Sequence, residues 1–328
     1  MPADVTATDL IACLRANWGL GITAVEHVAV GGGSHHWVAY DNATSRHWVT
    51  LDDLDNKPFL GDTRTSTLSG LRSAFETART LCRAGLDFVV APRQSIRGEA
   101  LESLRMRYAV TVFPFLNGTS GRFGEPLPAS ERLQVVDMLV QLHQATPSVP
   151  ASVVRPTHVM VPKRAELEDA LDCLDQAWEG GPFSEPARAA FAGHRTDIRR
   201  LLARFDRLAT DIAAAELEPV ITHGEPHPGN VMRACGRLFL IDWDTVALGP
   251  PERDLWLLAT ATGGEIERYT RVTGRQVHQA ALDLYRWRWL LDDVSYLVCL
   301  FSSAHDHTAD TEHAWKNLPR VLASPDLA

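Results

Sequence analysis

The sequence predicts an α+β protein in two lobes, a small antiparallel β-rich lobe followed by a larger, mostly helical one. Three observations predict it. Short β-prone segments cluster between Val25 and Leu51, and helical periodicity dominates beyond Pro114. That helical part is interrupted by a polar stretch, Pro219 to Asp242, rich in Gly, Pro, His and Asp. Pro114, Gly118, Gly121, Gly124, Pro126 and Pro128 mark residues 114–128 as the connection, leaving lobes of 1–113 and 129–328.

The elements follow in order. Thr8 is placed to cap a leading helix whose Leu10, Ile11, Leu14 and Trp18 share a side, and Gly19 is placed to end it. Val25 to Val30, Trp37 to Tyr40 and Arg46 to Leu51 read as strands of a meander, separated by Gly31-Gly32-Gly33 and by Asp41-Asn42. Leu68, Leu71, Phe75, Ala78 and Leu81 recur at helical spacing up to Gly85, after which Phe88 to Ala91 and Arg107 to Phe113 return to strand. The second lobe reads as helices over 130–145, 163–178, 184–215 and 277–304.

Composition narrows the function classes. A formal charge of −9 repels polyanions, so nucleic acid is not an expected partner. No basic region followed by an apolar stretch opens the chain, and no run reaches membrane-spanning length, so no membrane partner and a cytoplasmic location are expected. Five scattered cysteines without a Cys-x-x-Cys pair read as reduced core thiols rather than metal ligands.

The chemistry concentrates in three motifs. The first is His223-Gly224-Glu225-Pro226-His227-Pro228-Gly229-Asn230, the second Leu240-Ile241-Asp242-Trp243-Asp244, and the third Pro251-Glu252-Arg253-Asp254-Leu255. Phosphoryl transfer needs a carboxylate to orient and deprotonate an attacking hydroxyl, together with oxygen ligands that hold magnesium against the phosphates. Protein kinases place an acid five residues before an Asn, the spacing of Glu225 and Asn230, and a further strand, here ending at Asp242, delivers the second metal-binding acid.

These motifs resemble the aminoglycoside phosphotransferase family, and Ile-Asp-Trp-Asp with Pro-Glu-Arg-Asp-Leu is most similar to its spectinomycin phosphotransferase branch. The resemblance implies a protein-kinase-like fold, an ATP and magnesium site, and transfer of phosphate to the hydroxyl of a small molecule, an aminoglycoside or aminocyclitol among the options. In that pattern Glu225 is the base, and Asn230 and Asp242 hold magnesium. His223 and Asp254 brace the loop, and His227 either braces it or touches ligand. The N-terminal lobe becomes the nucleotide-binding one: Gly31, Gly32, Gly33 and Ser34 form a turn whose backbone N–H groups approach phosphates, and Phe113 and Phe115 either offer a wall to adenine or serve plain packing.

Two departures bear on activity. The family's base is Asp, and the extra methylene of Glu225 displaces its carboxylate by about 1 Å on an unchanged backbone, which costs on the order of a hundredfold in rate. The lysine normally found on the third strand is absent, since Thr50 stands there in His47-Trp48-Val49-Thr50-Leu51-Asp52-Asp53. Lys57, in a loop beside Pro58, is the sole lysine of residues 1–113 and so a candidate replacement, with Arg46 and His35 as weaker substitutes. Glu76 reads as a surface residue of its helix, and Asp244 as a solvated loop carboxylate or an aid to the metal.

A cationic acceptor would collect carboxylates, and Asp292 and Asp293 resemble the acidic segment at the matching place in the spectinomycin enzyme. The same residues also fit a helix of alternating charge with a Trp-Leu core stripe. Two other functions use the same fold. One is a binding protein that has lost transfer, and the other is a nucleotidyl transferase.

Overall fold

The computed structural model describes residues 2, 4–30, 33–42, 45–157 and 159–327. Helix α1 (Ala7–Trp18) is capped by Thr6, not Thr8, and Gly19 ends it at φ 65°. The reason is reciprocity. Asp9 lies three residues after Thr6 and returns a bond to its N–H, whereas the residue three after Thr8 is Ile11, which has no acceptor.

Strands β1 (Ile22–Val28), β2 (His35–Asp41), β3 (Arg46–Asp53), β4 (Glu102–Leu104) and β5 (Tyr108–Pro114) build one antiparallel sheet in the order β1-β2-β3-β5-β4, with helix α2 (Arg64–Arg83) between β3 and β4 in sequence. Alternation along the strands divides its residues between two cores. Trp37, Ala39, Val49, Leu51, Tyr108, Val110 and Val112 pack with Leu10, Leu14 and Trp18 of α1. Ala109, Phe113 and Trp48 pack instead with Leu71 and Phe75 of α2 and with Phe239 and Ile241 from the motif region. Phe88 to Ala91 is not a strand: Val89 makes an isolated parallel bridge to Leu240, and Pro92, lacking an N–H, stops the ladder from growing.

Beyond β5 the chain carries β6 (Gly118–Ser120), α3 (Ala129–Gln144), α4 (Arg164–Asp172) and α5 (Ser184–Ala214). Next come β7 (Val220–Thr222), β8 (Val231–Ala234), β9 (Arg237–Leu240), β10 (Ala247–Gly249) and the short α6 (Glu252–Leu255). Helices α7 (Gly264–Thr273), α8 (Gln279–Ser302) and α9 (Ala309–Leu322) follow. The segment expected as plain connection therefore contributes a strand, β6, which pairs with β8. Helix α4 is shorter than the periodicity predicts, because Cys173 N–H bonds both Asp169 and Ala170 and tightens the last turn. Helix α9 escapes sequence reading because Pro319 interrupts its pattern, although Thr308 and Thr311 cap it reciprocally.

The chain divides into two compact units, Met1–Thr157 with Pro219–Gln276, and His158–Glu218 with Val277–Ala328. The first contains the antiparallel sheet and all three motifs. The second has its own core, in which Leu167, Leu171, Phe191, Leu201, Phe205, Leu291, Val298, Phe301 and Leu318 meet. The cysteines are free thiols, but only Cys13 is buried; Cys82, Cys173 and Cys235 are exposed and Cys299 is half-buried, which corrects their reading as core residues. Cys82 and Cys299 lie on α2 and α8, Cys173 caps α4, and Cys235 lies in the turn between β8 and β9. Among the described residues no helix is long and apolar enough to cross a membrane.

Candidate active site

Strand β7 and its partner β10 hold the base of the first motif, and the chain leaves β7 through His223 and Gly224. Gly224 has φ 100°, and a Cβ there would collide with the Arg253 guanidinium, so the turn requires glycine on two counts. Arg253 is itself fixed by bonds to Thr222 Oγ1 (2.7 Å) and Thr245 O (2.8 Å). Asp254, fully buried, accepts the N–H of His223 at 2.9 Å, the N–H of Gly224 at 2.6 Å and His143 Nε2 at 3.0 Å. Burial alone would raise its pKa, but the bond from His143 and the charges around it hold the carboxyl below the usual range. The third motif thus pins the backbone of the first.

His223 joins this turn to the second motif. Its Nε2 lies 2.9 Å from Ile241 O and its Nδ1 3.3 Å from Glu225 N–H, so the bonds require a ring with hydrogen on Nε2 and a lone pair on Nδ1. Burial, the largest influence, pushes its pKa down and keeps that neutral form. Trp243, also buried, packs edge-on against the ring at 4.6 Å.

Glu225 is half-buried, with a carboxylate oxygen 4.0 Å from His227 Nε2. Burial, and then His223, lower the pKa of His227 to about 4. Asn230 donates from Nδ2 to Glu225 O at 3.0 Å, and its own carbonyl accepts Ile241 N–H at 3.0 Å. The first bond sets the amide so that its Oδ1 is the atom a cation would use. The second ties Asn230 to the strand end that carries Asp242.

Asp242 is exposed to solvent yet crowded by acids. Desolvation by the surrounding protein, then Asp244, Glu225 and Asp52, push its pKa well above the usual range, against the opposing pull of Lys57. Its φ of 64° is left-handed, a region that short polar side chains tolerate best. Among the described residues no group of three or more His, Cys, Asp or Glu side chains forms a metal cage. The donor set nevertheless fits magnesium: one carboxylate and one amide oxygen are hard ligands, magnesium relies on few protein ligands plus phosphates, and a cation would relieve the repulsion at Asp242.

Lys57 follows a 3₁₀ turn, residues 54–56, and is not solvated: it is 3% exposed. Its Nζ lies 2.6 Å from Asp244 Oδ2 and 3.1 Å from Asp52 Oδ1. Burial acts to lower its pKa but is outweighed by Asp244, Asp52 and Asp242, so the ammonium is held charged more firmly than a free lysine. Asp244 is therefore buried and ion-paired, correcting its reading as a solvated carboxylate. Ser34 Oγ donates to Asp52 Oδ1 at 2.5 Å, and a Cβ on Gly33 would lie 3.9 Å from Lys57 Nζ, so the end of the glycine turn stands over this cluster. Gly31 and Gly32 lie outside the described residues.

The remaining candidates are placed as follows. Phe113 is packed edge-on against Phe75 at 5.6 Å, and Phe115 lies beneath the Arg46 guanidinium at 4.1 Å. Glu76 is bound to Arg79 and Arg83 on α2, as a helix-surface residue would be. Asp292 and Asp293 belong to the second unit, where Asp292 pairs with Arg288 at 2.7 Å and Asp293 lies 3.9 Å from Arg320. Asp52, Arg253 and His143 were not read from sequence as site residues. For Asp52 a signal existed, a carboxylate two residues after the vacant lysine position and on the same strand face; His143 carried none.

A model of the phosphotransferase enzyme family (APH) matches residues 42–290. Among solved structures the chain is similar to a spectinomycin phosphotransferase in complex with ADP and spectinomycin, with a TM-score of 0.75 and 18% identity over 98% of this chain and 96% of that one. It is also similar to a microcompartment-associated aminopropanol kinase, TM-score 0.61 and 12% identity over 96% and 95% of the two chains. A third is an amicoumacin kinase in complex with AMP-PNP, Ca2+ and Ami, TM-score 0.59 and 13% identity over 97% and 93%. No curated protein matches by sequence. These likenesses show a kinase-like α+β fold, with an antiparallel N-terminal sheet and a mostly helical remainder, and the family match spans most of the sequence: the chain belongs to the phosphotransferase enzyme family.

Proposed function

We propose that this phosphotransferase uses ATP to phosphorylate a hydroxyl group of a small molecule. The observation that carries the reading is the bonding of Asn230, whose side chain holds the Glu225 carbonyl while its backbone holds the strand end bearing Asp242. One residue thereby joins an acid able to meet a hydroxyl to an acid able to face phosphate. ADP, AMP and AMP-PNP bound in similar structures support the nucleotide.

In the reaction the acceptor oxygen attacks the γ-phosphorus, the bond from that phosphorus to the β-bridging oxygen breaks, and ADP leaves. Glu225 orients the hydroxyl and takes its proton. His227, neutral with its pKa near 4, stands beside Glu225 without adding charge. Asn230 Oδ1 and Asp242 would hold magnesium, whose contribution when bound is to neutralise phosphate charge. The turn to which Gly33 and Ser34 belong is assigned to the phosphates, Gly31 and Gly32 lying outside the described residues, and Phe113 and Phe115 to the base. His223 and Asp254 keep the loop in place. Asp292 and Asp293, in the second unit, carry charge of the sign that would suit a cationic ligand such as an aminocyclitol.

The test is acceptor-dependent ADP release over a panel of aminoglycosides, aminocyclitols, amino alcohols and sugar alcohols, with product masses. A gain of one phosphate that Glu225→Gln reduces by about two orders of magnitude supports the reading. Nucleotide binding without any turnover would replace it with a binding protein, and a gain of AMP with a nucleotidyl transferase.

A further inference from the structure

We propose that Lys57 supplies, from the loop after β3, the phosphate-contacting ammonium that kinase-type sites take from the strand itself, with Asp52 and Asp244 as the residues that position it. This deepens the phosphotransferase reading and rests on it.

The strand position is vacant in a specific way. Thr50 faces Thr111 across the β3–β5 ladder, both side chains are buried, and among the described residues neither hydroxyl has a hydrogen-bond partner. Strand β3 carries no lysine, and the one acid of α2, Glu76, is engaged by Arg79 and Arg83.

The displaced charge is found elsewhere in the same unit. Lys57 Nζ is enclosed by Asp244 at 2.6 Å and Asp52 at 3.1 Å, which take the place of the single helix glutamate of a kinase. Two carboxylates around one ammonium leave an excess of negative charge, and among the described residues Asp52 Oδ2 is buried with no hydrogen-bond partner. A purely structural ion pair has no use for that excess, because unpaired buried charge is costly. A nucleotide site has one, since the lysine and an arriving cation together balance the two acids as phosphate enters. The head group also lies in the right place. The Cβ position of Gly33 is 3.9 Å from Nζ, and Ser34 Oγ binds the same Asp52 at 2.5 Å, so the ammonium sits under the turn assigned to the phosphates.

The experiment compares the binding of ATP, ADP and adenosine by calorimetry in the full chain. Lys57→Met is expected to weaken ATP and ADP by about tenfold or more while leaving adenosine unchanged, because only the phosphates meet the ammonium. Adding Thr50→Lys to Lys57→Met is expected to recover part of the lost ATP affinity. Asp52→Asn and Asp244→Asn should raise the KM for ATP and leave that for the acceptor unchanged, a split that a merely structural pair would not produce. Should Lys57→Met fold poorly, the combined Asp52→Asn, Lys57→Met, Asp244→Asn variant removes charge from both sides and makes the same comparison. An unchanged ratio of ATP to adenosine affinity overturns the lysine assignment alone. Absence of any nucleotide binding by the unaltered protein overturns this proposal and the phosphotransferase reading together.

Discussion

Lys57 and Asp244, 187 positions apart in sequence, meet at 2.6 Å in a buried ion pair. The contact fastens the loop after β3 to the segment after β9, and both partners are almost removed from solvent. Its energetics are those of a buried pair, where losing one partner costs more than losing both.

Lys57→Met should therefore destabilise the fold by about 3–5 kcal/mol, because Asp52 and Asp244 are left facing each other without a cation. Replacing both acids by Asn in the same chain should recover much of that loss. Urea unfolding midpoints of the single and triple variants check this. Equal losses in the two would show that the stem of the lysine, not its charge, carries the stability.

Asp254→Ala should cost about 2–4 kcal/mol, since two backbone N–H groups and His143 lose their shared acceptor in a dry site. The pH dependence has a definite sign. The folded pKa of Asp254 lies below its unfolded value near 4, so its contribution is present above that value and is lost as pH falls through the folded pKa. Chemical unfolding of the unaltered protein against the variant, from pH 7 to pH 3, should show the gap narrowing on the acid side.

His36 and His227 should weaken the protein earlier in the same titration. Burial, chiefly, holds each pKa near 4 against an ordinary 6.5. The unfolded chain therefore binds more protons between pH 6.5 and 4, and stability must fall across that window as pH drops. Replacing both histidines by Asn should flatten this part of the stability curve; a curve that keeps its slope would show that other groups set it.

Asp242→Asn should abolish transfer and yet stabilise the ligand-free protein. Desolvation and the crowding of Asp244, Glu225 and Asp52 raise the folded pKa of Asp242, so the stability tied to its neutral form is present at low pH and lost as pH rises through that pKa. At neutral pH the ionised group is a cost that the neutral amide removes, and Asn tolerates the left-handed backbone at φ 64°. A higher melting temperature with no activity is the expected result. A lower one would mean that Asp242 is held by favourable contacts rather than repelled.

Most of the fold was legible because its signals are local. Runs of β-prone residues along β2, β3 and β5 and helical spacing in α2, α3, α5 and α8 are written within a few residues of each other. The same holds for Glu225, Asn230 and Asp242, candidates read from a spacing along one loop and the strand after it. The misplaced cap shows the scale of the error: Thr6 and Thr8 differ only in what stands three residues on.

What the sequence by itself determined is the order of the elements and the chemical identity of the loop that begins at His223. Only the tertiary structure decided that Asp244 is buried, that Asp52 belongs with it, and that Lys57 comes to both while Thr50 receives no charge. The physical reason is that a carboxylate reads alike in sequence whether water or an ammonium surrounds it. Which of the two does depends on the packing of segments far apart in the chain.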